Sequence, residues 1–416
     1  MRVLILSQYY YPEGVPKPHE LAEELVENGH DVSVLTGFPH YPGGKLKNGY
    51  KLSLWLREKI NDIKVLRTFE LPYHNTNAIL RMANYFSFLI SAPFGAFFTP
   101  KVDVIYVWHP PLTIGIAAWL IAKIKGVPFV YDVQDIWPDF VILSGMMREN
   151  SFSVKVLRVL EAFVYRRATH LIVGTEAARE NLIGKLVPLE KLTVLPNWID
   201  ETAFETTGLS ERENLRDKLG WKDNFVVLFA GNHGIIQGLE TVIEAAKYLE
   251  NGKTKIVLVG DGSDKPRLEK LARELQVTDK VQFIERQPME KMPDFMSAAD
   301  VLLVHLKKSE MQRYVIPSKT IAYLASGKPI LMAMNGAAAE LIDEAKAGIV
   351  IEPDDPRQLA KAIETLTETS EIEKADFGAN GRNYLLKNLS KKQVVARYEK
   401  LLMKVVESAK ANAKPV

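Results

Sequence analysis

Short apolar, β-branched runs alternate with helix-period segments along almost the whole chain. Val3–Ser7, Asp31–Thr36, Ile63–Thr68, Val102–Trp108, Pro128–Asp132, His170–Gly174 and Leu192–Leu195 read as buried strands. Between several of them lie segments with apolar residues three and four apart, such as Pro18–Asn28 and Thr113–Lys125. Pro196 to Thr207 breaks the rhythm and reads as a linker. The alternation then resumes, with strands expected at Phe225–Ala230, Lys255–Gly260, Lys280–Ile284, Val301–His305, Pro329–Ala333 and Gly348–Ile351. Continuous apolar strands joined by helices predict an α/β protein with two doubly wound parallel sheets, each covered on both faces. The expected domains are 1–196 and 197–385, with a C-terminal helix over 386–416 packing back toward the first. Such sheets bind ligands outside the carboxyl ends of their strands, so the residues that follow each strand carry the candidate chemistry.

Ala78 to Phe98 has a different pattern. Its polar residues Arg81, Asn84, Ser87 and Ser91 form one narrow stripe, and the rest of the circumference is apolar or aromatic. A helix of this kind is either deeply buried or laid into a membrane surface. In the second case Lys45, Lys47, Lys51, Arg57, Lys59 and Arg67 would meet anionic head groups. Composition narrows the class. With 47% apolar and 25% charged residues the chain is an ordinary globular one. A net charge of +2 weighs against nucleic acid as a partner. The absence of cysteine excludes disulfides, thiolate catalysis and Cys-based zinc sites. The start MRVLILSQYY is too short an apolar run for a signal peptide, and no run of about eighteen apolar residues exists. A cytoplasmic chain, peripheral on the inner membrane face, is the expectation.

In the first half, Gly14 lies in the loop before the first long helix, where backbone can approach a phosphate. The loop TGFPHYPGGKLKNGY offers His40 and Tyr41 to a sugar or a lipid phosphate. His109 follows one strand, and Asp132, Gln134, Asp135 and Asp139 follow the next. Asp135 is the preferred general base, with His109 as its companion; each is also a plausible cap or turn residue. No His/Asp/Glu cluster has metal-ligand spacing, so no metal is expected.

The second half is organised around RYVIPSKTIAYLASGKP, from Arg313 to Pro329. Ser318 reads as a helix N-cap, Thr320–Ser326 as two helical turns, and Gly327 as the stop. A helix start is polarised positive and seats anions. Lys319 adds a full charge there, and Arg313 a second from the preceding loop. Gly231, Asn232, His233, Gly234, Gln237 and Gly238 follow one strand; Gly260, Asp261 and Gly262 follow the next. Two glycine-bearing loops at one sheet edge, beside the Ser318–Lys319–Thr320 helix start, predict a nucleoside diphosphate site. Arg286 and Gln287 would frame the base. Glu340, in the first turn of a later helix, complements the dipole or accepts bonds from sugar hydroxyls.

Taken together, LAEELVENGHDVSVLT, GVPFVYDVQDIWPD, VLPNWID, GNHGIIQGLETVIEAA, VGDGSD, IPSKTIAYLASGKPI and AGIVIEPDDP resemble the retaining glycosyltransferases of family 4. That family has the GT-B fold of two Rossmann-like domains facing across a cleft. TGFPHYP with DIWPD looks more specifically like the bacterial branch that builds O-antigen, capsule and colanic-acid-type polysaccharides, and is similar to its N-acetylfucosamine transferases. The resemblance implies a nucleotide-sugar donor, with UDP as its expected carrier, in the second domain. It implies a lipid-linked saccharide acceptor in the first and no obligatory metal, since Lys/Arg and helix ends neutralise the diphosphate. The family's pair of glutamates flanking the donor helix is not intact: the second falls at Ala322 and the first near Tyr314, with Glu310 close by. The family's usual Arg and Lys in the first glycine loop are Asn232 and Gln237, and its usual His near Asp135 is Gln134. Glu340 or Glu310 would then substitute in sugar binding, and Lys319 and Arg313 would carry more of the phosphate. Two alternatives share the scaffold: a nucleotide-sugar 2-epimerase, and a binding subunit without catalysis.

Overall fold

The computed structural model describes residues 1–73, 78–143, 145–204, 209–250 and 252–412. They form two compact units, Met1–Pro196 with Val395–Val416, and Asn197–Val394. The first unit carries strands β1 (Arg2–Ser7), β2 (Asp31–Thr36), β3 (Trp55–Ile60), β4 (Ile63–Thr68), β5 (Val104–Trp108), β6 (Phe129–Val133), β7 (His170–Val173) and β8 (Leu192–Val194). They lie in the order β3-β4-β2-β1-β5-β6-β7-β8, parallel except for β3, which pairs antiparallel with β4. The second unit has β9 (Phe225–Ala230), β10 (Thr254–Val259), β11 (Val281–Ile284), β12 (Val301–His305), β13 (Ile330–Ala333) and β14 (Gly348–Ile351), all parallel, in the order β11-β10-β9-β12-β13-β14.

The apolar runs are continuous because both faces of each sheet are covered. On β9, Val226, Leu228 and Ala230 enter one core, while Val227 and Phe229 enter the other. A strand's side chains alternate between faces, so a run buried on both sides has no polar positions left to alternate. The strand order reverses beside β1 in the first unit and beside β9 in the second. Those are the points where a crevice opens at the carboxyl edge.

Two readings change. β3 is a strand that the pattern did not announce; its alternation WLREKI is half-exposed on an edge, and charged residues there discourage further pairing. Arg67 is not available to a lipid surface. It is buried on β4 and donates to Glu58 Oε1 at 2.5 Å, Gly37 O at 2.9 Å and Tyr11 O at 2.6 Å. The linker region is ordered up to Phe204, through the Ile199–Ser390 bridge and a 3-10 turn at Glu201–Phe204. Residues 205–207 of that linker, and 413–416 of the expected terminal helix, lie outside the described residues. The tail forms two helices, Glu371–Asn388 and Lys391–Asn412.

Candidate active site

In the second unit every strand is parallel, so the segments after β9 to β13 all emerge at one edge. The loops after β9 and β10 interlock there. His233 N donates to Asp261 O at 2.8 Å, and Asp264 N donates to His233 O at 3.0 Å. Gly260 has φ +147°, and a Cβ on it would lie 1.9 Å from Gly231 O. A Cβ on Gly262 would lie 2.4 Å from His233 O. The glycines therefore permit backbone to pack on backbone. His233 is buried beneath them, and burial pulls its imidazole down to about 4, with the charges of Lys265 and Lys319 adding to the effect.

The Ser318–Ser326 helix follows β12. Pro317 occupies the cap position and no side chain caps the helix, so Ser318 is its exposed first residue rather than its N-cap. Proline presets the backbone for a helix start, and its carbonyl accepts the Thr320 amide at 2.9 Å. Gly327, left-handed at φ +66°, ends the helix. Buried Tyr323 ties it to the sheet by accepting the Ala230 amide at 2.9 Å.

This anchoring brings Lys319 to the end of β9. Its ammonium lies 3.7 Å from the centroid of the Phe229 ring and donates to Gln237 Oε1 at 2.7 Å. A Cβ on Gly231 would lie 3.1 Å from Nζ. Burial pulls the Lys319 ammonium down to about 7. Gln237 is fixed from a second side, because His305 Nδ1 donates to its carbonyl at 2.7 Å. Thr320 Oγ1 is buried with no hydrogen-bond partner among the described residues.

The other expected residues lie at the same edge without joining this cluster. Arg286 is exposed, and Gln287 donates to Glu285 O at 3.0 Å. Arg313 is exposed and stands 3.7 Å from Glu310, while Glu340 is exposed in the first turn of the Ala337–Ala345 helix. Asn232 is exposed beside Gly234. Sequence reasoning missed Gln312. Buried, it donates to Leu306 O and Lys307 O, each at 2.9 Å, and accepts the Asn335 amide at 3.0 Å. It thereby clamps the loops after β12 and β13. Gly336, at φ +76°, is what admits it, since a Cβ there would lie 2.4 Å from Gln312 O.

In the first unit His109 sits past β5 and Asp135 past β6. His109 is 1% exposed, and burial drives its imidazole down to about 3, so it is neutral. Asp135 N donates to its Nδ1 at 3.5 Å, which places the ring proton on Nε2. That Nε2 is buried without a hydrogen-bond partner among the described residues. Burial raises the Asp135 carboxyl to about 6. Asp132 next door is a structural hub. It accepts from Tyr106 Oη at 2.6 Å, Gln134 Nε2 at 2.6 Å and Tyr398 Oη at 3.0 Å. The third donor comes from the Lys391–Asn412 helix, a contact that no local pattern could announce. Gly14 is exposed with open space around it, so nothing in the structure requires glycine there. Among the described residues no group of three His, Asp or Glu side chains could hold a metal ion.

A carboxyl raised to about 6 suits proton transfer, and a half-buried ammonium at a helix start suits a diphosphate. Two family models match the chain. A model described as glycosyl transferase 4-like domain matches residues 16–198, and one described as glycosyl transferases group 1 matches 211–384. The chain belongs to the group 1 glycosyltransferases of family 4 type and is an enzyme of that class with the GT-B fold. It is 29% identical over 337 residues to the putative colanic acid biosynthesis glycosyl transferase WcaI of Escherichia coli K12, covering 79% of this chain and 82% of that one. It is 28% identical over 329 residues to the probable glycosyltransferase WbjE of Pseudomonas aeruginosa, covering 77% and 80%. Among solved structures, Anabaena Alr3699/HepE in complex with UDP aligns with TM-score 0.72 at 18% identity, over 97% of this chain and 100% of that one.

One consequence concerns pH. Asp135, the general base expected from the sequence, would act only when ionised, and its carboxyl is protonated below about pH 6. Turnover is therefore expected to fall as pH drops through that value. In Asp135→Asn it should be lower by about 10²-fold and should lose this acid limb. The check is kcat against pH for both chains.

Proposed function

We propose that this enzyme moves a sugar from a UDP-sugar to a hydroxyl of a lipid-linked saccharide at a membrane face, with retention of anomeric configuration. The observation that carries the reading is Lys319, held by Gln237 and Phe229 at the start of the Ser318–Ser326 helix, at the edge where two glycine loops expose backbone. As the sugar leaves, negative charge grows on the diphosphate. A preset ammonium and free helical N–H groups stabilise that charge more than they stabilise the intact donor. Asp135 and His109 orient the incoming hydroxyl, and the departing phosphate oxygen shares the proton. A donor sugar of the N-acetylated amino or deoxy-amino class rests on the resemblance carried by TGFPHYP and DIWPD, and a role in polysaccharide synthesis is supported by the similarity to WcaI, a putative colanic acid biosynthesis glycosyl transferase. UDP as carrier is supported by the UDP complex of the Anabaena neighbour.

The membrane part rests on the Ala78–Ala96 helix. Its polar stripe faces the protein: Asn84 is buried, Ser87 Oγ accepts the Leu71 amide at 2.9 Å, and Ser91 Oγ donates to Thr68 Oγ1 at 3.3 Å. Its apolar stripe faces outward, with Ile79 80%, Ile90 62% and Phe94 66% exposed, and Met82 and Phe86 between them. Trp55 on β3 continues the patch, 5.4 Å from the Phe98 ring, and the Arg57 guanidinium lies 6.0 Å from that same ring. Between Leu71 and Tyr131 the sequence has one acidic residue, Asp103, against Arg81, Lys101, Lys123 and Lys125. An exposed apolar face in a segment with few acidic residues, with Arg57 against its Phe98 ring, fits an anionic bilayer surface. No described helix is long and apolar enough to cross a membrane.

A thermal-shift panel of UDP-, GDP-, dTDP- and ADP-sugars tests the donor. At a hundred times its dissociation constant a bound nucleotide sugar stabilises by about 2.7 kcal/mol. The UDP compounds are expected to shift the transition most. A larger shift with another nucleotide would reject UDP. An epimerised nucleotide sugar formed without acceptor would replace the transferase reading.

A further inference from the structure

We infer that the depression formed by the 39–48 loop of the first unit seats the phosphate joining lipid to saccharide in the acceptor, with Lys45 and Lys47 as its cations. This rests on the acceptor reading above. The depression has a volume of about 580 Å³, opens to solvent, and is bounded by Pro12, His40, Tyr41, Leu46 and the two lysines. Its frame is built from buried polar groups that the proposed chemistry does not use. Glu13 accepts the amides of Tyr10 at 2.9 Å, His40 at 2.8 Å and Tyr41 at 2.7 Å, so one buried carboxylate ties the loop after β1 to the loop after β2. His40, 1% exposed, donates from Nδ1 to Phe38 O at 2.8 Å, and its Nε2 lies 3.1 Å from Asn84 Nδ2. Asn84 accepts from Gln8 Nε2 at 2.8 Å, and Gln8 also donates to Glu70 at 2.9 Å. Glu70 is packed so closely beneath Gly37 that a Cβ there would lie 1.7 Å from its Oε1.

Charge decides what the hollow accepts. Two nearby carboxylates are already engaged: Glu13 is used by three amides, and Glu58 is paired with Arg67. Glu70 is fully buried, and burial pushes its carboxyl up to about 7. Among the described residues no acidic one lines the hollow, and its lysines, Lys45 and Lys47, are positive. Lys47 Nζ donates to the Pro12 carbonyl, which holds it at the rim, and Lys45 is exposed. A wall of this kind takes an anion, and two ammonium groups suit the several oxygens of a phosphate or diphosphate. Place narrows the source. The His40–Asn84 contact sets the hollow against the helix whose opposite face is the exposed apolar stripe. In a lipid-linked saccharide the phosphate stands where apolar chain meets sugar. A bilayer phospholipid presents the same chemistry, so the test separates the two.

The test uses the full chain and its Lys45→Ala/Lys47→Ala variant, with two soluble acceptors. One carries the acceptor saccharide on a short isoprenoid diphosphate, the other carries it on neutral octanol. Retention of the UDP-induced thermal shift shows that the variant is folded. The expected result is a KM for the diphosphate acceptor raised about tenfold or more, with an unchanged KM for the octyl glycoside. Added salt should raise the first KM in the unaltered chain and leave the variant's flat. Lys45→Ala alone should show part of the same selective effect. Equal KM changes for both acceptors, no change for either, or an effect confined to binding of phosphatidylglycerol vesicles would overturn the inference. Absence of transfer to either acceptor by the unaltered chain would remove the transferase reading and this inference together.

Discussion

Lys319→Ala is expected to lower turnover by 10²- to 10³-fold. Removing one preorganised donor from a developing oxyanion typically costs about 2.7–4 kcal/mol of transition-state stabilisation. Lys319 is held against the Phe229 ring at the end of β9, whereas Arg313 is exposed beside Glu310, Arg286 is exposed, and Lys265 Nζ, 3.5 Å from Gly260 O, is engaged by Glu285 at 2.6 Å. The lowered Lys319 ammonium adds a second readout. Because burial brings the group down to about 7, it loses its proton as pH rises through that value. An anion favours the charged form, so donor binding takes up a proton above pH 7, and affinity falls as pH rises further. Calorimetric titration of UDP in two buffers of different ionisation enthalpy measures that uptake. The uptake should vanish in Lys319→Ala. Near-normal turnover, or unaltered proton uptake, in Lys319→Ala would show that the diphosphate is held elsewhere.

Ile90→Glu with Phe94→Glu is expected to abolish attachment to vesicles containing phosphatidylglycerol while leaving the fold intact. Each side chain is more than half exposed, so neither substitution opens a core cavity. Burying such a side chain in an apolar phase contributes about 1.5–3 kcal/mol, and two lost together amount to more than 10²-fold in partitioning. The carboxylates add repulsion from anionic head groups. Vesicle flotation reads the binding, and the UDP thermal shift reads the fold. Undiminished flotation would assign the apolar face to something other than lipid.

The outline of this protein was legible because parallel sheets covered on both faces demand unbroken apolar runs. Ile63–Thr68, Phe225–Ala230, Val301–His305 and Gly348–Ile351 have the bounds that their pattern suggested. β3 was not legible, because an edge strand with charged alternation has no unbroken run to betray it. The helix start at Lys319 could be read locally, since proline, helix formers and a terminal glycine act within a few residues of one another.

What the chain's own sequence determined was which residues stand at the carboxyl edges of its strands, because strand polarity and right-handed crossovers leave few choices. It could not determine how those residues are poised. The polar stripe of the Ala78–Ala96 helix has the same spacing whether it faces water or protein, and only packing turned it inward on Leu71 and Thr68. Asp132 reads as one more carboxylate until Tyr398, 266 residues away, closes on it. Burial, proton affinity and distant partners depend on what surrounds a side chain in three dimensions. No span of neighbouring residues contains that information.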